Sequence, residues 1–193
     1  MTTDMTTDMS TDTELIRQLR GIDACDEAIE WARSLGDVTA QAAWDQCGDP
    51  EYMFHALGKA GGFGSADSDE RKTITACAVE IASQVADMWT PDIKKAVAVV
   101  RRWTEGLATA DEVTEAREKL WRYRRATAGT ANAADAAYCT AAAAYYASDA
   151  DAAAAAAARA VAADIQTTDQ QTVAIIRRHY PVAPSLEVID RAR

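Results

Sequence analysis

Chemistry-bearing side chains are sparse in this sequence and seldom sit at spacings that suit a reaction. Trp121-Arg122-Tyr123-Arg124-Arg125 interleaves bases with aromatics, a pattern that can hold phosphate or single-stranded nucleic acid by charge and stacking. On a helix the five side chains point in all directions, so solvated arginines around a buried Trp121 or Tyr123 are expected. His55 and His179 are the only histidines, and neither has a serine, cysteine or aspartate at a motif spacing. Glu27 and Glu30 flank Trp31; paired carboxylates on an acidic helix read as solvated surface. Cys25, Cys47, Cys77 and Cys139 form no C-x-x-C pair and read as small buried thiols. A zinc site would need ligands from scattered helices plus a histidine. Gly61-Gly62-Phe63-Gly64-Ser65 lacks the Gly-Lys-Ser/Thr ending of a phosphate loop and follows no strand, so it reads as a connector. Catalysis, a cofactor and a metal are therefore not expected.

Charge is the stronger signal. The chain carries a net charge of −10, and residues 1–70 hold 15 acidic and 4 basic side chains. Such a face repels nucleic acid and membranes and steers a basic partner inward. The candidate partner-binding residues are Asp23, Asp26, Glu27, Glu30, Asp45 and Asp49. Residues 71–126 reverse the balance, with 11 bases against 8 acids. Lys94, Arg101, Arg122 and Arg125 form a candidate basic patch, suited to a nucleotide ligand or to self-association with the acidic third of a second copy.

These groups must be positioned by helices. Of 193 residues 44 are alanine, and only four are proline; alanine is the best helix former. Period-two runs typical of strands are absent. The expected fold class is all-α, a helical bundle of about seven or eight helices. A flexible tail is expected over 1–11, an all-helical domain over 12–183 and a C-terminal tail over 184–193. Caps and apolar periodicity mark the helices. Asp12 or Thr13 opens the first, Asp23 the second and Thr39 the third, and Gly36 ends the second. Asp49-Pro50 opens the fourth. Ser68 opens a helix running to Met88 along Ile74, Cys77, Ala78, Ile81 and Val85. Thr90-Pro91 opens another, with Ile93, Val97, Val100 and Leu107 inward, and Gly106 ends it. Thr109 caps a pattern that continues towards Ala147 with a break near Gly129. A helix over 149–165 and a last one from Thr168 or Asp169 to Tyr180-Pro181 follow.

The alanine-rich region sets the expected packing. Alanine faces bury little area but let helix axes approach closely. The helices over 110–147 and 149–165 are expected antiparallel and very close, and thin nested rods are expected to leave a charged exterior without a reactive cleft. No stretch of ~20 apolar residues spans a bilayer, and the start lacks the basic and apolar parts of a signal peptide, so a cytoplasmic protein is expected.

Six segments in order carry a resemblance: ACDEAIEWA (24–32), AAWDQC (42–47), RKTITACA (71–78), WTEGLATADEV (103–113), the Ala/Asp/Tyr-rich region and IIRRHYP (175–181). Over about residues 20–183 the chain resembles a family of alanine-rich helical proteins of tailed phages and bacteria labelled immunity proteins. That resemblance implies a small helical protein that binds and neutralises a toxin, and it implies no catalytic or ligand-binding residues. The expected function is thus non-enzymatic: a phage or mobile-element protein that inhibits a partner protein, either a toxin or a bacterial defence effector. The alternatives are a counter-defence inhibitor whose acidic surface mimics DNA, and a binder that sequesters a nucleotide signal.

Overall fold

The computed structural model describes residues 12–61, 68–126, 136–139, 142, 156 and 169–185. Among these the chain is all helical, with no strand. The helices are α1 (Glu14–Gly21), α2 (Asp26–Ser34), α3 (Ala40–Gln46), α4 (Pro50–Gly61), α5 (Asp69–Ala82), α6 (Pro91–Thr104), α7 (Ala110–Ala126) and α8 (Asp169–His179). The expected tail over 1–11, the connector after Gly61, the region of Gly129, all of the expected helix over 149–165 but residue 156, and the chain beyond Ser185 lie outside the described residues.

Most helix starts follow from side-chain caps. The hydroxyls of Thr13, Thr39, Ser68 and Thr90 accept from the backbone N–H groups of Ile16, Ala42, Arg71 and Ile93. Asp49 Oδ1 accepts from Glu51 N at 2.7 Å and from Tyr52 N at 3.3 Å, just before Pro50. Each bond satisfies an N–H that has no partner inside its helix. Thr109 and Glu112 cap α7 reciprocally: Glu112 N donates to Thr109 Oγ1 at 3.2 Å, and Thr109 N donates to Glu112 Oε2 at 2.8 Å. Gly36 and Gly106 terminate α2 and α6 at φ +76° and +75°, a backbone region open to glycine.

Three expectations are corrected. Asp23 does not cap α2; it sits at φ 54° in the turn after α1, and Cys25 precedes α2 without a side-chain cap bond. Aspartate tolerates that left-handed conformation better than most residues. The helix from Ser68 does not run unbroken to Met88. It tightens to a 3-10 segment over Ser83–Met88, with Val85 out of helical geometry. Ser83 Oγ donates to Val79 O at 2.6 Å, a back-bond that bends helices, and Met88 is left 54% exposed. Leu107 does not point inward. It follows the left-handed Gly106, is 62% exposed, and its carbonyl accepts from Arg102 Nη2 at 2.7 Å.

The helices pack in a series in which α7 lies on α6, α6 on α5, α5 on α8 and α8 on α4, while α1 pairs with α2. The last helix is therefore a spacer between α4 and α5, with Val173 and Ile176 buried. The main core runs from Trp44 through Met53, Phe54, Ile74, Ile81, Val100, Trp103 and Leu120 to Ile176, and Ala136 and Ala137 are fully buried against it. A smaller cluster of Leu15, Ile16, Ile29, Ala32 and Ala43 holds α1, α2 and α3 together.

Replacing Ile74, fully buried in α5, by alanine is expected to cost about 3 kcal/mol of stability in urea unfolding through lost burial and a cavity, and Ser68→Ala about 1 kcal/mol through the lost cap. The two bonds from Thr109, backbone first, hold Glu112 below the usual carboxylate range. A depressed folded value means the stabilisation is complete above the unfolded carboxylate value and disappears as pH falls through the folded one. The Thr109 amide resonance should therefore titrate below the ordinary glutamate range, and Glu112→Gln should abolish that titration.

Candidate functional site

Between the two clusters the core does not close. An open cavity of ≈390 Å³ lies at the seam, walled by α1, α2, α3, α4 and the segment after α8. The expectation is of closely nested helices without a reactive cleft; the exterior does have an opening here, and its lining is predominantly apolar. The cause is the small side chains along the seam: Ala24 and Ala28 from the α2 side, Ala40 and Ala43 from α3, and Ala56 from α4 all line it. Larger residues there would have merged the clusters. The lining is predominantly apolar, with Leu15, Leu19, Ile22, Trp31, Trp44, Met53 and Phe54 as its larger members. Its size and character match those of small-molecule and side-chain pockets.

The mouth is acidic. Asp23 and Glu51 line the cavity directly. Trp31 and Tyr52 meet there with ring centroids 6.3 Å apart and planes tilted by 47°. Partial burial raises the Tyr52 phenol above its ordinary value, and Asp49, Cys25 and Glu27 push the same way. Of the four bases of residues 12–61, Arg17 pairs with Glu14 and Arg20 and Arg33 pair with Asp12, while Lys59 pairs with Asp23 of the cavity lining at 4.0 Å. Among the described residues, no ion pair neutralises Asp26, Glu27, Glu30, Asp45 or Asp49. Of the six acidic residues singled out from sequence, the fold brings Asp23 into the lining of the pocket, and Glu27 and Asp49 lie outside it. Asp26 and Glu30 are exposed along α2 outside the lining, and Asp45 is exposed on α3, accepting from Gln41 Nε2 at 2.9 Å.

One wall comes from the far end of the chain. Arg177 of α8 donates from Nη2 to Cys47 O at 2.7 Å and to Trp44 O at 3.0 Å, closing the carbonyl end of α3, where Trp44 O also accepts from Cys47 N at 3.3 Å. Trp44 Nε1 returns a bond to Tyr180 O at 3.0 Å. Gln41 then clamps the following segment: its Nε2 donates to Pro181 O at 3.3 Å, and its Oε1 accepts from Ala183 N at 2.8 Å. Ala183 and Pro184 are thereby held against the cavity.

Neither histidine is assembled with a nucleophile. His55 lines the cavity, and with Nε2 protonated it donates to Ile22 O at 3.3 Å, tying α4 to the turn after α1. His179 Nε2 lies 2.9 Å from Glu80 Oε2, while Arg178 pairs with the other oxygen of that carboxylate. The pair fastens α8 to α5. The thiols divide, in part against expectation: Cys47 and Cys77 are buried, Cys139 is half-buried and Cys25 is exposed. Burial raises the Cys47 and Cys77 thiols well above their ordinary values, which suppresses the reactive thiolate. Among the described residues, no group of three or more His, Cys, Asp or Glu side chains is placed to hold a metal ion.

The basic residues do not converge. Arg101 reaches back to Ser83 Oγ at 3.1 Å on the α5 side of α6, and Lys94 is exposed one heptad before it. Arg122 lines a separate groove of ≈690 Å³ between α6 and α7, where Glu112 and Glu115 accompany Lys95 and Lys119. Arg125 lies 4.8 Å over the ring of Trp121. Trp121 is 42% exposed rather than buried, covered by that cation instead of by the core, whereas Tyr123 is half-buried against it. The pocket itself was not anticipated, although the Ala28 and Trp31 spacing carries part of its signal, a small residue beside an aromatic on one face of α2.

Cys25 lines the pocket and is exposed, so iodoacetamide under native conditions is expected to label it far faster than Cys47 or Cys77; peptide mapping showing a buried thiol labelled first would contradict this placement. The chain matches no family model, no curated protein and no solved structure, and the fold and the pocket are therefore read from their own geometry.

Proposed function

We propose that this is a non-enzymatic binding protein, of phage or mobile-element origin, that neutralises a partner protein in the host cytoplasm by stoichiometric contact. The observation that carries the reading is the apolar cavity at the α1–α4 seam, with Asp23 and Glu51 in its lining, in a segment, residues 12–61, that is rich in acidic side chains. An apolar centre surrounded by charge is the anatomy of a protein-docking surface. The resemblance to immunity proteins points the same way, with a toxin or a defence effector as the partner.

The geometry favours this reading over the two alternatives. A DNA mimic requires carboxylates spaced over a continuous face, and here an apolar opening lined by Trp31 and Tyr52 interrupts the acidic surface. A nucleotide site requires converging cations, and Arg101 and Arg122 lie on different sides of α6, the latter among carboxylates.

Two measurements test the proposal. Titration of the purified partner should show neutralisation complete at one molecule per molecule; neutralisation far below that ratio means turnover and overturns the non-enzymatic reading. Reversing Asp26, Glu27 and Glu30 together to lysine should slow association roughly ten-fold or more at low salt, with a smaller effect at high salt. An unchanged association rate at low salt removes the α2 face from the interface.

A further inference from the structure

The seam cavity has an occupant in the chain itself. We infer that residues 186–189 seat the side chains of Leu186, Val188 and Ile189 in the cavity of the same molecule, as a built-in plug that an incoming partner must displace. The plug does not depend on what the protein neutralises; its role as a gate to the partner rests on the protein-binding reading above.

Three observations carry it. The first is where the chain is led. After α8 the backbone is fastened to α3: Trp44 Nε1 donates to Tyr180 O at 3.0 Å, and Gln41 donates to Pro181 O at 3.3 Å and accepts from Ala183 N at 2.8 Å. These bonds lay Ala183 and Pro184 on the cavity wall, and the described residues end one position later, at Ser185. The second is reach. Leu186 follows Pro184 by two residues and Ile189 follows it by five, at most about 7 Å and 17 Å of extended chain. Leu186 is thereby confined to the neighbourhood of the opening. The third is chemistry. Three of the four residues 186–189 are leucine, valine and isoleucine, and Leu15, Leu19, Ala28, Trp44 and Phe54 line the interior. In an extended chain Leu186 and Val188 fall on one side and Glu187 on the other, so the charge need not enter. A cavity of about 150 Å³ takes one benzene-sized group, so ≈390 Å³ has room for two branched side chains. A tether this short also holds the occupant at a millimolar effective concentration, which keeps even a weak contact formed. Residues 1–11 precede Leu15 of the same lining, but their apolar members are Met1, Met5 and Met9, each separated by threonine and aspartate, a poorer match to the interior.

The test compares the full chain with a full-length variant carrying Leu186→Ser, Val188→Ser and Ile189→Ser, which removes the apolar groups without changing charge. Cys25, on the cavity lining, should react with iodoacetamide several-fold faster in the variant, while the buried Cys47 and Cys77 stay slow in both. Nile red, a neutral apolar dye, should bind the variant roughly five-fold or more tightly than the unaltered chain. Adding Ala24→Leu to the variant fills the edge of the cavity and should remove that gain. A synthetic peptide of residues 185–193 should displace the dye from the variant and slow its Cys25 alkylation again; the same peptide with the three serines should do neither. A chain with Glu187→Gln and Asp190→Asn keeps the apolar groups and should match the unaltered chain in both assays. Circular dichroism melting checks that each variant is folded.

Equal Cys25 rates and equal dye affinities in the unaltered chain and the serine variant overturn the inference and leave stoichiometric neutralisation standing. So does a dimer that the serine substitutions dissolve, which puts the segment in the cavity of a second copy. A serine variant with faster Cys25 alkylation and tighter dye binding, but unchanged association with the partner, upholds the plug and removes the cavity from the partner interface.

Discussion

The structure hinges on the return of α8 to the start of the chain. Helix α8 is inserted between α4 and α5 rather than added to the outside, and the guanidinium of Arg177 closes the exposed carbonyl end of α3. Bonds from a charged donor to backbone carbonyls are stronger than neutral ones. This one spans a sequence separation of 130 residues or more, so it ties α8 directly to the third helix of the chain. The indole of Trp44 bonds back to Tyr180 O, and Gln41 holds Pro181 and Ala183. The pocket wall is therefore a consequence of domain closure: whatever loosens α8 opens the seam.

Local signals were legible because their physics is local. A threonine or serine three residues before an unpaired N–H makes a cap whatever the distant chain does, and so the starts at Thr13, Thr39, Ser68, Thr90 and Thr109 could be read directly. Gly36 and Gly106 were readable for the same reason. The errors arose where two local rules compete. Asp23 can cap a helix or occupy a left-handed turn, and the backbone took the turn. Ser83 can lie in a helix or bond back to Val79 O, and the bond coincides with the change of helix type. Apolar periodicity misplaced Leu107 because the chain reverses at Gly106, and a stripe cannot be projected across a reversal.

The site was less legible because nothing local encodes it. The acidic third of the chain was visible as a charge count, but a count does not say which carboxylates share an opening. Folding brings Asp23 into the lining and leaves Asp26, Glu27, Glu30, Asp45 and Asp49 outside it. Glu80 drew no notice because its partners, Arg178 and His179, lie nearly a hundred residues away. The four bases were grouped by sign and by neighbourhood in sequence, yet α6 presents Arg101 to one flank while α7 holds Arg122 on another.

Alanine connects composition to the proposed activity, by a route different from simple close packing. Small side chains bring helix axes together only when the opposing surface can follow them. At the seam it cannot. α1 and α2 are committed to their own cluster around Ile16 and Ile29, and α4 is committed to the main core through Met53 and Phe54. With both sides anchored, Ala24, Ala28, Ala40, Ala43 and Ala56 face a gap they are too short to fill. An apolar gap left unfilled forfeits dispersion contacts that the same residues would make in a closed core. A surface in that condition gains more from an incoming apolar group than a finished core does.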